Sequence, residues 1–121
     1  MKIQRVYCDD QGESHYEEMD IPLSSVGMSP PSPPVDLSVF QDASRVAIMR
    51  APAGWKGDWH PAPCRPLMFY MSGEVVGETS DGVQRRMTAG TVVLLEDTSG
   101  KGHRSWVVGT EDVLIGVVEL D

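Results

Sequence analysis

Glycine and proline punctuate this chain so often that a helix of ordinary length has no room to form. Twelve glycines and nine prolines are spread through 121 residues, and no window keeps apolar residues at i, i+3 and i+4 over three helical turns. Short apolar stretches stand between these breaks, which predicts an all-β fold, a sandwich or barrel. The predicted strands cover residues 3–7, 16–21, 45–50, 67–71, 74–79, 83–88, 91–95, 104–108 and 113–120. Ser80-Asp81-Gly82 predicts a tight hairpin, because Asp-Gly accepts the positive φ that such a turn requires. With Ala89-Gly90 as the next break, residues 67–95 read as a meander of consecutive antiparallel strands. Residues 24–34 hold four prolines in eleven positions, which favours extended polyproline geometry and predicts a connector rather than a strand.

The length corresponds to one domain. Within it, residues 1–34 supply N-terminal strands, an arm and the proline-rich connector, and residues 35–121 the main β-barrel. Ten Lys and Arg against 18 Asp and Glu leave a net charge of −8. Such a chain repels phosphate backbones and anionic bilayers, so neither nucleic acid nor membrane is an expected partner. The longest apolar runs, 92–95 and 113–118, fall far short of the roughly 20 residues of a membrane-spanning helix, and residues 1–20 lack an apolar signal core. The expected location is the cytoplasm. Cys8 and Cys64 are too few and too far apart for a disulfide framework, and both read as thiols.

From Gly54 the sequence runs Gly-Trp-Lys-Gly-Asp-Trp-His-Pro-Ala-Pro-Cys-Arg-Pro-Leu-Met-Phe-Tyr-Met-Ser-Gly-Glu, a His followed by a strand ending in Gly-Glu. From Gly90 it runs Gly-Thr-Val-Val-Leu-Leu-Glu-Asp-Thr-Ser-Gly-Lys-Gly-His, a Gly, a strand, a turn and a His. Together these segments resemble the two motifs of the cupin superfamily, across residues 54–106, and the chain looks like a small single-domain cupin. The resemblance implies an antiparallel β-barrel or jelly roll. It places His60 and His103 at the barrel mouth as ligand positions for one divalent metal (Fe, Zn, Mn or Ni). Ala62 and Pro66 stand at the remaining ligand positions, so the usual set is incomplete and a pocket without metal stays open. It also implies a homodimer, with an arm over residues 1–23 pairing with a partner subunit.

Several other residues carry chemistry beside those histidines. Met68 and Tyr70 share the strand face that follows His60 inward, since alternate residues of a strand point the same way; each is either pocket lining or plain core. Trp59 and Trp55 flank the His60 loop, suited to stack on a flat substrate or to cap the barrel end. Arg65, between two prolines, is either a carboxylate clamp or a solvated loop cation. Asp97 directly follows an apolar strand, where a carboxylate orients an imidazole, acts as a general base or caps a turn. His15 is a further proton shuttle or substitute ligand, and Cys64 a weaker nucleophile candidate. The leading functional expectation is a small-molecule enzyme of isomerase, cyclase or lyase type. In it His15, His103, Tyr70 and Asp97 serve proton transfer, and Arg65, Met68 and Trp59 contact substrate. A non-catalytic small-ligand module is the alternative, and a metal-dependent dioxygenase the third reading.

Overall fold

Val92-Val93-Leu94-Leu95 lacks the in-out alternation of a strand with one wet face, and therefore requires cover on both sides. The computed structural model, which describes residues 1–120, provides that cover. Its strands are β1 (Lys2–Cys8), β2 (Ser14–Asp20), β3 (Ser24–Val26), β4 (Val35–Leu37), β5 (Ala43–Ala51), β6 (Arg65–Ser72), β7 (Glu74–Thr79), β8 (Gln84–Met87), β9 (Val92–Leu95), β10 (His103–Val108) and β11 (Val113–Leu120). Six form one sheet in the order β2-β1-β9-β6-β11-β5, three form a second in the order β10-β7-β8, and β3 pairs with β4. Every pairing is antiparallel except β1 with β9.

The core fills the space between the two larger sheets. Met68 and Tyr70 on β6, Val93 on β9, and Val113 and Ile115 on β11 pack with Val75, Met87 and Val107 of the smaller sheet. The opposite face of the six-stranded sheet is also apolar: Ile3, Val92 and Leu94 are buried there, packed with Met19, Ile21, Leu67 and Leu120. All nine predicted strands are present, with ends shifted by a residue or two.

Two expectations are corrected. Residues 67–95 are not a meander in one sheet, because β6 pairs with β9 and β11 whereas β7 pairs with β8 and β10. Gly73 makes the first crossing at φ +75, where a Cβ would lie 2.7 Å from the Asp112 carbonyl oxygen, so the corner closes only on glycine. On the return, the Gly90 N–H donates to Tyr70 O and the Tyr70 N–H to Thr91 O, both at 3.0 Å, which draws the chain leaving β8 onto β6. The expected hairpin itself is present, with Gly82 at φ +87 and the Thr79 N–H donating to Val83 O at 3.0 Å. The second correction concerns residues 24–34. A turn in which the Ser32 N–H donates to Ser29 O at 2.9 Å doubles the prolines back, so Ser24–Val26 lies against Val35–Leu37 as a short strand pair.

Because β11 holds both β5 and β6, its inward side chains secure the centre of the large sheet. Replacing the buried Ile115 by Ala is expected to cost about 3 kcal/mol. The expected readout is a lower urea midpoint with unchanged slope.

Candidate functional site

Residues 52–64, between β5 and β6, run beside β10 as an irregular strand. The Gly57 N–H donates to Ser105 O at 2.8 Å and the Val107 N–H to Trp55 O at 2.9 Å. His60 and His103 then exchange both backbone hydrogen bonds, each at 3.0 Å. This isolated antiparallel bridge brings the two imidazoles together with ring centroids 4.8 Å apart and planes tilted by 55°. Gly102 makes the approach possible: at φ +73, a Cβ there would stand 2.0 Å from the His60 carbonyl oxygen.

Asp97 follows β9 and is wholly buried, with its backbone oxygen accepting from the Ala62 N–H at 2.9 Å. Its Oδ2 lies 2.6 Å from His103 Nδ1, while Oδ1 has no hydrogen-bond partner among the described residues. A buried carboxylate of this kind makes Nδ1 of the imidazole the donor and leaves Nε2 as the free basic atom. His60 is exposed, and its Nδ1 donates to Asp58 O at 2.8 Å. Below the pair, Met68, Tyr70, Tyr16 and His103 line a cavity of about 50 Å³. Burial pushes the phenols of both Tyr16 and Tyr70 above their ordinary value, so both are neutral donors.

The remaining predicted residues have other partners. Trp59 lies under the Arg104 guanidinium, 4.8 Å from the ring centroid, and with Ser80 and Lys101 borders an open groove of about 430 Å³. Arg65 Nε donates to Glu96 Oε2 at 2.8 Å, sharing that carboxylate with Arg5. Partial burial acts to raise Glu96, but the two guanidiniums outweigh it and hold the carboxyl below its ordinary value. Burial and the hydrogen bond to Glu119 raise the Cys64 thiol, which keeps it protonated and removes the basis for a nucleophile there.

His15 does not join His60 and His103. Its Nε2 lies 2.7 Å from Asp9 Oδ2 and its Nδ1 2.9 Å from Asp81 Oδ2, which clamps the β1/β2 turn to the β7/β8 turn. Beside it, the Ser14 hydroxyl, fully buried, donates to Gly102 O at 2.6 Å and so ties the same turn to the loop that carries His103. Sequence reasoning missed both Ser14 and Tyr16. They occupy alternate positions of β2, and only the register of that strand, absent from any motif, puts them inward.

Imidazole suits several divalent metals, but a stable centre ordinarily draws three or more protein ligands. Here two imidazoles are the donors, Ala62 and Pro66 contribute none, and Asp97 Oδ2 is engaged by His103. No group of three or more His, Cys, Asp or Glu among the described residues is arranged to hold a metal ion. The donors present therefore do not fit the usual cupin metal centre.

No protein-family model matches the chain, and no curated protein matches it. Solved structures do. A cupin domain from Bordetella pertussis Tohama I aligns at 18% identity and a TM-score of 0.52, over 85% of this chain and 98% of its own. The cupin domain of Schizosaccharomyces pombe Cnp3 aligns at 14% identity and a TM-score of 0.51, over 99% of this chain and 88% of its own. The chain thus has the cupin fold. Identities this low carry the architecture and no activity.

Two predictions follow from this geometry. Gly102→Ala is expected to break the His60/His103 backbone pair and destabilise the protein by about 3 kcal/mol, with loss of the ring contact visible in imidazole NMR. The His15 clamp is expected to depend on pH. Its hydrogen bond to Asp9, and then that to Asp81, raise His15 above its ordinary 6.5. His15 and backbone donors in turn hold Asp9 below its ordinary 3.8. Asp81 is likewise lowered, since Thr79, Val83 and His15 outweigh its partial burial. The histidine's share of stability is complete below 6.5 and is lost as pH rises through its raised value, whereas the carboxylates' share is present above 3.8 and is lost as pH falls through their lowered values. The difference in thermal midpoint between wild type and His15→Ala is therefore expected to be largest near pH 5 and to shrink as pH rises through the raised value of His15. An unchanged difference across that range contradicts the clamp.

Proposed function

We propose that the mouth beside His60 and His103 is a small-molecule site at which His103, oriented by Asp97, moves a proton. The observation that carries the reading is the 2.6 Å contact between the wholly buried Asp97 and His103, directly beside a second imidazole. With Nδ1–H held by Asp97, His103 Nε2 takes a proton from an acidic C–H or O–H, and the buried carboxylate stabilises the imidazolium that results. One imidazole acts as the base while its neighbour supplies the acid. Protonated His60, anchored through Nδ1 to Asp58 O, presents Nε2–H to a substrate oxygen. Return of the proton to a different carbon is isomerisation. Loss of a β-oxygen protonated by His60, the C–O bond breaking as a C=C bond forms, is the lyase reaction. Addition of the deprotonated oxygen to a C=C bond that opens and takes the His60 proton is the cyclase reaction, and none of the three requires a metal. The interior is largely filled, so the substrate rests at the mouth, where the exposed face of Trp59 and the neighbouring groove offer it a platform.

That same Trp59 and Arg104 platform favours a second reading, a small-ligand module without chemistry. Deuterium wash-out separates the two. Small 1,3-dicarbonyl and 2-oxo-carboxylate probes are incubated with the protein in D₂O and their acidic C–H signals followed by proton NMR. Wild type is expected to accelerate exchange with a bell-shaped pH dependence, and His103→Ala and Asp97→Asn to lose about 100-fold or more. Saturable binding without wash-out assigns the mouth to the binding module instead.

A further inference from the structure

Alternate residues of a strand face opposite ways. In β9, Val93 joins the core between the two larger sheets, so Val92 and Leu94 point out of the sandwich, yet they are only 9% and 6% exposed. Their cover is incomplete. Beside them lies a cavity of about 270 Å³, lined by Ile3, Leu67, Val92 and Leu94 of the sheet and by Val39 and Phe40 of the link between β4 and β5. Among the described residues, none of the buried side chains between the two sheets lines it. It is therefore separate from the cavity beneath His103, and several times larger. Val39 and Phe40 border it while remaining 86% and 77% exposed. Two large apolar side chains thus stand beside an apolar space without filling it.

The lining selects what enters. Among the described residues no charged side chain lines the cavity, and Ser38 and Gln41 are its polar members. A carboxylate or ammonium placed there would lose its hydration without gaining a partner, and the net charge of −8 further repels an anion. Size narrows the choice again. A dry apolar cavity of about 150 Å³ takes up a benzene ring, so by proportion one of about 270 Å³ has room for about eleven carbon atoms. We infer that the outer face of the six-stranded sheet binds an uncharged hydrocarbon chain of medium length that ends in a single hydroxyl or carbonyl group. The apolar body rests on Val92 and Leu94, the polar end lies toward Ser38 and Gln41, and Val39 and Phe40 lose exposure against the bound molecule. Neither the imidazole pair nor Asp97 takes part, so this site stands apart from the reading of the mouth.

1-Decanol and decanoate, matched in length and differing in charge, test the assignment on the full chain by titration calorimetry and by intermolecular NOEs to its methyl groups. 1-Decanol is expected to bind saturably with a Kd below about 100 µM and to show NOEs to Ile3 and Leu94, while decanoate binds at least about 10-fold more weakly. Ala43→Trp, which fills the cavity from an exposed position on β5, and Phe40→Ala, which removes part of its wall, are each expected to weaken 1-decanol about 10-fold. The absence of saturable binding overturns the proposal, because the space is then closed in solution by the chain itself or by another copy. NOEs confined to Trp59 and His103 also overturn it, since they place the probe at the mouth. Equal affinity for decanoate overturns the uncharged class, and an affinity that neither substitution changes overturns the location. If the variants fail to fold, the NOEs of the wild type decide: contacts to Ile3 and Leu94 support the site, and their absence in the presence of bound 1-decanol overturns it.

Discussion

The reciprocal backbone hydrogen bonds between His60 and His103 hold the open end of the fold, and the geometry around them depends on that one bridge. Together with the Gly57 to Ser105 and Val107 to Trp55 bonds they seat residues 52–64 along β10, where the Ala62 N–H donates to the carbonyl of the buried Asp97. From there its carboxylate, among the described residues, is hydrogen-bonded to His103 alone. Gly102 permits the bridge because no side chain fits against the His60 carbonyl, and the Ser14 hydroxyl donates to the Gly102 carbonyl oxygen. Tight backbone apposition thus becomes side-chain preorganisation, with two imidazoles in contact and one of them set in a single tautomer.

Burying a carboxylate with one oxygen unpartnered is unfavourable for folding. The surrounding structure over-determines the position instead: the hydrophobic core lies on one side, the His15 clamp and the Lys101 to Glu13 ion pair hold the adjoining turn, and Glu96, one residue earlier, is fixed between Arg5 and Arg65. Costly, well-supported groups of this kind concentrate at functional sites. The six-stranded sheet is unusual in a different way, being apolar on both faces. Its inner face makes the core, and its outer face continues toward the open edge at β5.

Much of this was legible in the sequence. Gly and Pro spacing excluded helices and located nine strands, and Asp-Gly located the hairpin, because those signals are local. The assignment of strands to sheets was not local. Nothing in residues 67–95 distinguishes a turn within one sheet from a crossing between two, and Gly73 reads as an ordinary turn glycine until the Asp112 carbonyl is seen against it. His60 and His103 were readable from their motifs, and Asp97 from its place after an apolar strand. His15 was readable as a titratable group but not as a clamp, since its two carboxylate partners come from separate turns, one of them 66 positions away. The engagement of Arg65 by Glu96 was hidden for the same reason.

Imidazole ¹⁵N NMR on wild-type protein with His103 in its neutral form tests most directly whether Asp97 sets the base. Donation to the buried carboxylate requires the neutral ring to carry its proton on Nδ1, with Nε2 resonating as an unprotonated nitrogen, and requires Asp97→Ala to release that preference. A neutral His103 protonated on Nε2, or a tautomer ratio unmoved by Asp97→Ala, contradicts the orientation of the site and the proton transfer built on it.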